Sequence, residues 1–195
     1  MPSPNITTTP RRIAPVEPPY SPEASAWFRK IMPEGVEPLV LFRTLAANER
    51  VLARVMAGGL LDKGSLTLRE RELVIDRTTW RCGSEYEWGV HVAFFGSRAG
   101  LGDEEVRDLC TDDVEATAFS ARDKLIIRLS DELHATATVG EALWAELSRE
   151  YTAEQLVELV VLAGLYHMIS FATNAFALEP EPFAARFPCE DGARR

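Results

Sequence analysis

The segment from residue 67 to residue 98, TLRERELVIDRTTWRCGSEYEWGVHVAFFGSR, decides the fold class of this chain. It opens with TLRE at 67–70, where a threonine is followed three residues later by a glutamate, which is the pattern of a capping box. Gly83 is expected to end that helix, because glycine readily takes the left-handed conformation found at helix C-termini. Ser84 can then cap a second helix over about 85–98. The segment predicts two consecutive helices joined by a tight turn.

Similar start and stop signals recur along most of the chain. Further helices are predicted at 22–32, 38–61 with a break near residue 48, 103–109, 120–134, 139–150 and 152–177. No segment shows the alternation of apolar and polar residues that is typical of strands. We therefore expect an all-α fold of roughly eight helices.

Composition sets the domain organisation. The chain has 195 residues, which suits one domain with a real core. Residues 1–20 hold six of the twelve prolines and are predicted to be an extended arm, either disordered or wrapped on a neighbouring subunit. A single helical domain is expected over 21–182, followed by a C-terminal tail at 183–195.

Charge and cysteine content restrict the partners and the compartment. The net charge of −9 repels phosphate backbones, so no nucleic acid partner is expected. The three cysteines are widely spaced and do not have the pattern of a disulfide framework. The N-terminus lacks the pattern of a signal peptide. A cytoplasmic location is therefore predicted. The apolar run 156–172 contains Glu158 and His167, and it is predicted as a buried helix rather than a membrane span.

The chemistry is concentrated on the second predicted helix. Ser84, Glu87, Trp88 and His91 fall on one helical face. Glu87 and His91 form an i,i+4 pair in which the carboxylate would fix the tautomer of the imidazole and raise its pKa, as a general acid–base unit requires. The alternative is an ordinary helix-surface salt bridge with Trp88 in the core.

Glu72 lies on the inward stripe of the preceding helix, where a carboxylate needs a partner. His91 is that partner if the two helices pack antiparallel across the Gly83 turn; the alternative is an ion pair with an arginine. Glu72, Glu87 and His91 could also bind a divalent metal, but the spacing does not require one, and no metal or cofactor is predicted.

Two other reactive residues receive structural interpretations. Cys82 is placed at a helix C-terminus, which disfavours a thiolate, although Arg81 acts in the opposite direction. His167 lies on an apolar helix and is interpreted as a hydrogen-bonded core residue. Tyr166, Ser170 and Asn174 repeat every four residues, and they either line a polar groove or satisfy one another across a subunit contact.

At these residues the chain resembles the carboxymuconolactone decarboxylase family, which includes the alkylhydroperoxidase D-like proteins. The redox branch of that family has a glutamate, eleven residues, C-x-x-C, three residues and a histidine. Counting back from His91 places Glu72 at the glutamate, whereas Ser84 and Glu87 stand at the two cysteine positions. The likeness extends over about 38–178, and it includes FRTLA at 42–46 and RERE at 69–72.

The resemblance implies an all-helical bundle assembled as a trimer, hexamer or similar homo-oligomer. Because peroxide reduction needs an attacking and a resolving thiol, the missing cysteines favour a cofactor-free acid–base enzyme acting on a small organic acid or lactone. His91, Glu72 and Glu87 are the predicted catalytic residues. The predicted substrate-binding residues are Ser84, Tyr86, Trp88 and Cys82. The alternatives are a thiol peroxidase and a non-enzymatic oligomer that binds a small ligand, for which a buried His91 with protein partners is expected.

Overall fold

A computed structural model describes residues 11–58, 60 and 62–188. Within these ranges the protein has nine α-helices and no strand, so the all-α prediction is confirmed. Short 3-10 turns lie at Ala46–Asn48 and Val114–Ala116, and a π-helical turn lies at Val92–Gly96. The helices are α1 (Pro22–Ile31), α2 (Val40–Leu45), α3 (Glu49–Ala57), α4 (Leu68–Arg81), α5 (Glu85–His91), α6 (Asp103–Asp108), α7 (Ala121–Thr136), α8 (Glu141–Glu150) and α9 (Ala153–Ala175).

The predicted capping residues act largely as expected. Thr67 and Glu70 form the reciprocal capping box that starts α4, and Gly83 has a φ of 64° in the turn that follows. Ser84 occupies the N-cap of α5 without a side-chain capping bond. The helix predicted over 85–98 is α-helical only to His91, where the π-helical turn takes over.

Contacts along the chain divide the described residues into two units. The first comprises residues 11–58 with 173–179 and contains α1, α2 and α3. Phe28 of α1, Leu41 of α2 and Leu52 of α3 are buried in it. The second comprises residues 60 and 62–172 with 180–188. The single domain expected over 21–182 stays a prediction.

The second unit is built around α4, which packs against α5 and α7. Its apolar core includes Leu73, Ile126 and Leu162, from α4, α7 and α9 respectively. Because α4 is enclosed in this way, polar side chains on its inner face are removed from water. This enclosure positions the candidate site described below.

Residues 183–188, which were expected to be part of a tail, pack along α5. The Ala185 N–H donates to the Gly89 carbonyl at 3.0 Å, and the Phe187 N–H donates to the Glu85 carboxylate at 3.0 Å. A Cβ atom added at Gly89 would overlap the carbonyl oxygen of Ala185. Only glycine therefore permits this approach. Residues 1–10 of the predicted arm, 189–195 of the predicted tail and Cys189 lie outside the described residues.

Within the described chain, α9 is the one helix long and apolar enough to cross a membrane by length and composition. One of its faces packs into the core through Leu159, Leu162 and Tyr166. The core helix of a globular protein meets the same criterion. The opposite face of α9 exposes the apolar side chains of Val157, Val161, Met168 and Phe171.

Candidate functional site

The Gly83 turn folds α5 back onto α4 and brings Glu72 to His91. The Glu72 side chain is fully buried, and its Oε2 lies 2.8 Å from Nδ1 of His91. Since an ionised carboxylate can only accept, the Nδ1–H of His91 donates this hydrogen bond. The predicted pairing across the turn is therefore present.

The other ring nitrogen of His91 faces two oxygen atoms. Nε2 lies 3.5 Å from Oε1 of Glu87 and 3.0 Å from the hydroxyl of Tyr166, which comes from α9. The Tyr166 ring meets the imidazole edge-on, with centroids 5.0 Å apart. From the sequence, Tyr166 was interpreted only as part of a polar repeat with Ser170 and Asn174. Its contact with His91 arises because α9 packs beside α5 in the folded chain.

These contacts stabilise the charged imidazole. Burial lowers the pKa of His91, but hydrogen bonds to Glu72 and Glu87 and their negative charges raise it to about 10. Near neutral pH the ring is an imidazolium with donors on both sides. Glu72 and Glu87 engage opposite nitrogens, so the three side chains do not converge in the arrangement that a shared metal ion would need.

Asp76 lies one helical turn after Glu72 and is fully buried. Burial and the nearby charge of Glu72 raise the pKa of Asp76 well above its usual range, with His91 acting in the opposite direction. The protonated, neutral form is therefore favoured. The sequence interpretation missed this residue, although its i+4 spacing from Glu72 places the two carboxyl groups on one helix face.

Several buried carboxyl oxygens around His91 make no hydrogen bond to another group of the protein. Among the described residues these are Oε1 of Glu72, Oε2 of Glu87 and both carboxyl oxygens of Asp76. Arg71 approaches Oε1 of Glu72 only to 3.6 Å. Each unpaired buried polar atom costs about 1–3 kcal/mol. Buried carboxyl groups with perturbed pKa values cluster at functional sites, so this set is a candidate for one.

The four residues predicted to bind substrate lie in different surroundings. Ser84 is buried at the start of α5, and Trp88 packs against Phe187. The Tyr86 hydroxyl donates to Glu181 at 2.6 Å, and Cys82 lies 3.7 Å from His134. Their roles in binding stay predictions.

The site is closed to solvent. His91 is 4% exposed and Tyr166 is 1% exposed. Both ring nitrogens of His91 are engaged, so a substrate has to displace Glu87 or Tyr166 to reach Nε2. A cavity of about 530 Å³ in the first unit is lined by residues between Tyr20 and Pro38, none of which is a predicted site residue.

Comparisons with known proteins agree with the fold and the family resemblance. Residues 45–126 match the model of the Carboxymuconolactone decarboxylase family, which confirms the resemblance over a segment containing α4 and α5. No curated protein matches the sequence significantly. A solved structure described as an uncharacterized peroxidase-related protein from Silicibacter sp. TM1040 superposes with a TM-score of 0.75 at 19% identity, covering 93% of this chain and 100% of that one. At that identity the likeness supports the fold alone.

Proposed function

We propose that Glu72, His91 and Tyr166, with Glu87, form the proton-transfer site of a cofactor-free enzyme that acts on a small organic acid or lactone. The observation that carries this proposal is a buried imidazole held between two carboxylates that retain unpaired acceptor atoms. The match of residues 45–126 to a decarboxylase family supports the choice of substrate class.

His91 acts as the general acid. Glu72 holds Nδ1, so the proton on Nε2 is the one available for transfer. An anionic substrate that displaces Glu87 keeps the imidazolium in contact with a negative charge. In a decarboxylation, the carbon–carbon bond breaks and carbon dioxide leaves. The carbon atom that keeps the electron pair takes the proton from Nε2 of His91, and His91 then regains a proton from water.

The test is a panel of small lactones and β-keto acids assayed with the purified full chain. On a substrate that is turned over, His91→Gln is expected to lower kcat by about 100-fold or more. Glu72→Gln should also lower kcat, because Nδ1 loses its charged acceptor. Glu146→Gln, at an exposed carboxylate, is the control. Full activity in His91→Gln would overturn the proposal.

A second candidate is a non-enzymatic protein that binds a small ligand, which the closed state of His91 favours. The two candidates differ in whether bound ligands exchange protons. Incubation of small carbonyl acids in D₂O, followed by NMR, separates them. Deuterium incorporation that depends on His91 supports the enzyme, and ligand binding without exchange supports the alternative.

Thiol-based peroxide reduction is the third candidate. Ser84 and Glu87 stand where the redox branch has its cysteines. Burial raises the pKa of the Cys82 thiol, with a hydrogen bond to Ser170 acting the other way. Because the thiolate is the reactive form, the raised pKa makes Cys82 a weaker nucleophile. Thiol titration before and after peroxide treatment tests this candidate, and loss of the Cys82 thiol with peroxide consumption would support it.

We also propose that the exposed apolar face of α9 is covered by a second copy of the chain. Val157 and Phe171 are each 65% exposed, and Val161 is 53% exposed on the same face. Large contiguous apolar surface is typical of interaction sites. Light scattering with size-exclusion chromatography is expected to show an oligomer that Val161→Glu and Phe171→Glu dissociate. Val36→Glu, at an exposed valine of the first unit, is the control. An oligomer unchanged by both α9 variants would contradict the proposal.

A further inference from the structure

Three side chains of types that bind metals meet at the C-terminal end of α4, in the second unit. Cys82 is the C-cap of α4, His134 lies in the last turn of α7, and His167 belongs to α9. Their ligand atoms all lie within 4.8 Å of one another. We refer to these three residues as the Cys–His–His cluster. Glu72, Glu87, His91 and Tyr166 form the site described above, and none of these four belongs to the cluster.

The distances approach those of a tetrahedral metal centre. Sγ of Cys82 lies 3.7 Å from Nδ1 of His134, and that nitrogen lies 3.2 Å from Nε2 of His167. With metal–sulfur bonds of about 2.3 Å and metal–nitrogen bonds of about 2.0–2.1 Å, tetrahedral ligands lie about 3.6 Å (S to N) and about 3.3 Å (N to N) apart. Two of the three distances between ligand atoms are therefore close to those of a tetrahedral site.

The tautomer of His167 is already suited to metal binding. Its Nδ1 lies 2.9 Å from the carbonyl oxygen of Ala163, which can only accept, so Nδ1 carries a proton and donates. Nε2 is then left with a lone pair that faces His134. A hydrogen bond from the second ring nitrogen to a backbone carbonyl is the usual support of a metal-bound histidine.

We propose that Cys82, His134 and His167 bind a divalent metal ion of the zinc type through one sulfur and two nitrogens, with a fourth position open to water. The ion replaces the hydrogen bond in which Nδ1–H of His134 donates to Nε2 of His167. Through exchange with solvent, His134 changes tautomer, so that Nε2 carries the proton and Nδ1 is left free to coordinate. On binding, the thiol of Cys82 loses its proton to solvent and coordinates as a thiolate. A thiolate with two imidazoles matches the ligand preferences of Zn²⁺ and Co²⁺.

The surroundings permit this occupancy. Cys82 and His167 are half-buried and His134 is exposed, so an ion can reach the cluster from solvent. The positive charge of Arg81 acts on His134, and the negative charge of Asp131, to which Arg81 is bound at 2.7 Å, offsets part of it. Ser170 also forms a hydrogen bond with Cys82, which orients the sulfur.

Titration of the full chain with Co²⁺ tests the ligand set. Binding at the Cys–His–His cluster is expected to produce a thiolate-to-cobalt charge-transfer band in the near ultraviolet together with intense visible bands of tetrahedral cobalt. Cys82→Ser should abolish the charge-transfer band. Cys110→Ser and Cys189→Ser are the matched controls and should retain it. A band that persists in Cys82→Ser, or is absent from the wild-type chain, would overturn the proposal.

Competition with a chromogenic chelator measures Zn²⁺ affinity. Loss of a residue that merely supports a ligand typically costs about 10–100-fold in affinity. His134→Gln and His167→Gln are therefore each expected to weaken binding by at least about tenfold. Circular dichroism verifies that the variants are folded. Folded variants that bind Zn²⁺ as tightly as the wild type would contradict the assignment. This inference is independent of the function proposed for His91.

Discussion

The hydroxyl of Tyr166 lies 3.0 Å from Nε2 of His91, although the two residues are 75 positions apart in the chain. With His91 charged, Nε2–H donates to this hydroxyl in a fully buried site. Glu87 is the other oxygen near Nε2, and it is more distant, at 3.5 Å. Tyr166 is therefore the nearer of the two partners on the side of the ring from which a proton can be transferred.

Replacement of Tyr166 by phenylalanine is expected to lower the free energy of unfolding by about 1.5–3 kcal/mol at pH 8, because a hydrogen bond to a charged group is lost. Tyr151→Phe is the matched control. That tyrosine is also buried, and it donates to the neutral carbonyl of Arg122 at 3.1 Å, so its loss should cost about 0.5–1.5 kcal/mol. Urea denaturation measures both. Equal costs would show that His91 is uncharged.

The stability of the protein should fall as the pH rises above neutrality. The pKa of His91 is about 10 in the folded chain, compared with an ordinary value of 6.5. The folded state then holds a proton that the unfolded state releases, so the stabilisation is complete below pH 6.5 and is lost as the pH rises through 10. The groups that act on this proton are Glu72, Glu87, Asp76 and Tyr166, with Arg71 beside Glu72.

Denaturant midpoints measured from pH 6 to pH 10 check this expectation. In His91→Gln the decline of the denaturant midpoint with rising pH should be much smaller. Glu146→Gln, at an exposed carboxylate, should reproduce the wild-type profile over the same range. A wild-type midpoint that is constant between pH 6.5 and pH 10 would show that His91 is not charged.

Glu72 and Asp76 should respond oppositely to neutralisation. Glu72→Gln removes the charge that pairs with a buried imidazolium, and it is expected to cost about 3–5 kcal/mol. Asp76→Asn replaces a group whose raised pKa already disfavours its ionised form, and it should raise the free energy of unfolding at pH 8, because the folded state no longer has to hold a proton that the unfolded state releases. Urea denaturation of the two variants measures the contrast. Similar losses from both would contradict the charge assignment.

Gly89→Ala tests the packing of residues 183–188 on α5. The new Cβ atom would overlap the carbonyl oxygen of Ala185, and overpacking of this kind costs about 1–3 kcal/mol. Cleavage of the segment in limited proteolysis is expected to accelerate. Gly96→Ala is the control, because its Cβ atom would make an ordinary contact of 3.8 Å with Val92. If both variants were cleaved at the wild-type rate, the segment would not be held by this contact.

Local sequence signals predicted the part of the site that is carried by adjacent helices. The capping box at Thr67 and the Gly83 turn determine how α4 and α5 pair, and this pairing brings Glu72 to His91. The i,i+4 spacing then adds Glu87. The fold class followed from the same signals, since most of the helices begin or end at a recognisable residue; α2, between Leu39 and Ala46, is an exception.

The remaining site residues depend on long-range packing. The positions of Tyr166 and His134 are set by how α9 and α7 lie against α4, and neither residue has a neighbouring sequence pattern that identifies its partner. Cys82 was correctly placed at a helix end, but its proximity to His134 could not be derived from spacing. Asp76 was missed for a different reason, because its i+4 spacing from Glu72 was visible in the sequence but a second carboxyl group on a helix face does not by itself identify a site.

The π-helical turn at Val92–Gly96 has a consequence for insertions and deletions. A π turn contains one more residue than an α-helical turn, and one residue corresponds to a rotation of about 100° about the helix axis. Removal of one residue from this turn should therefore regularise the helix and rotate everything after it, while His91, which precedes the turn, keeps its orientation. We expect homologues that differ by one residue in length here to retain the Glu72–His91 pair and to differ in the loop that follows.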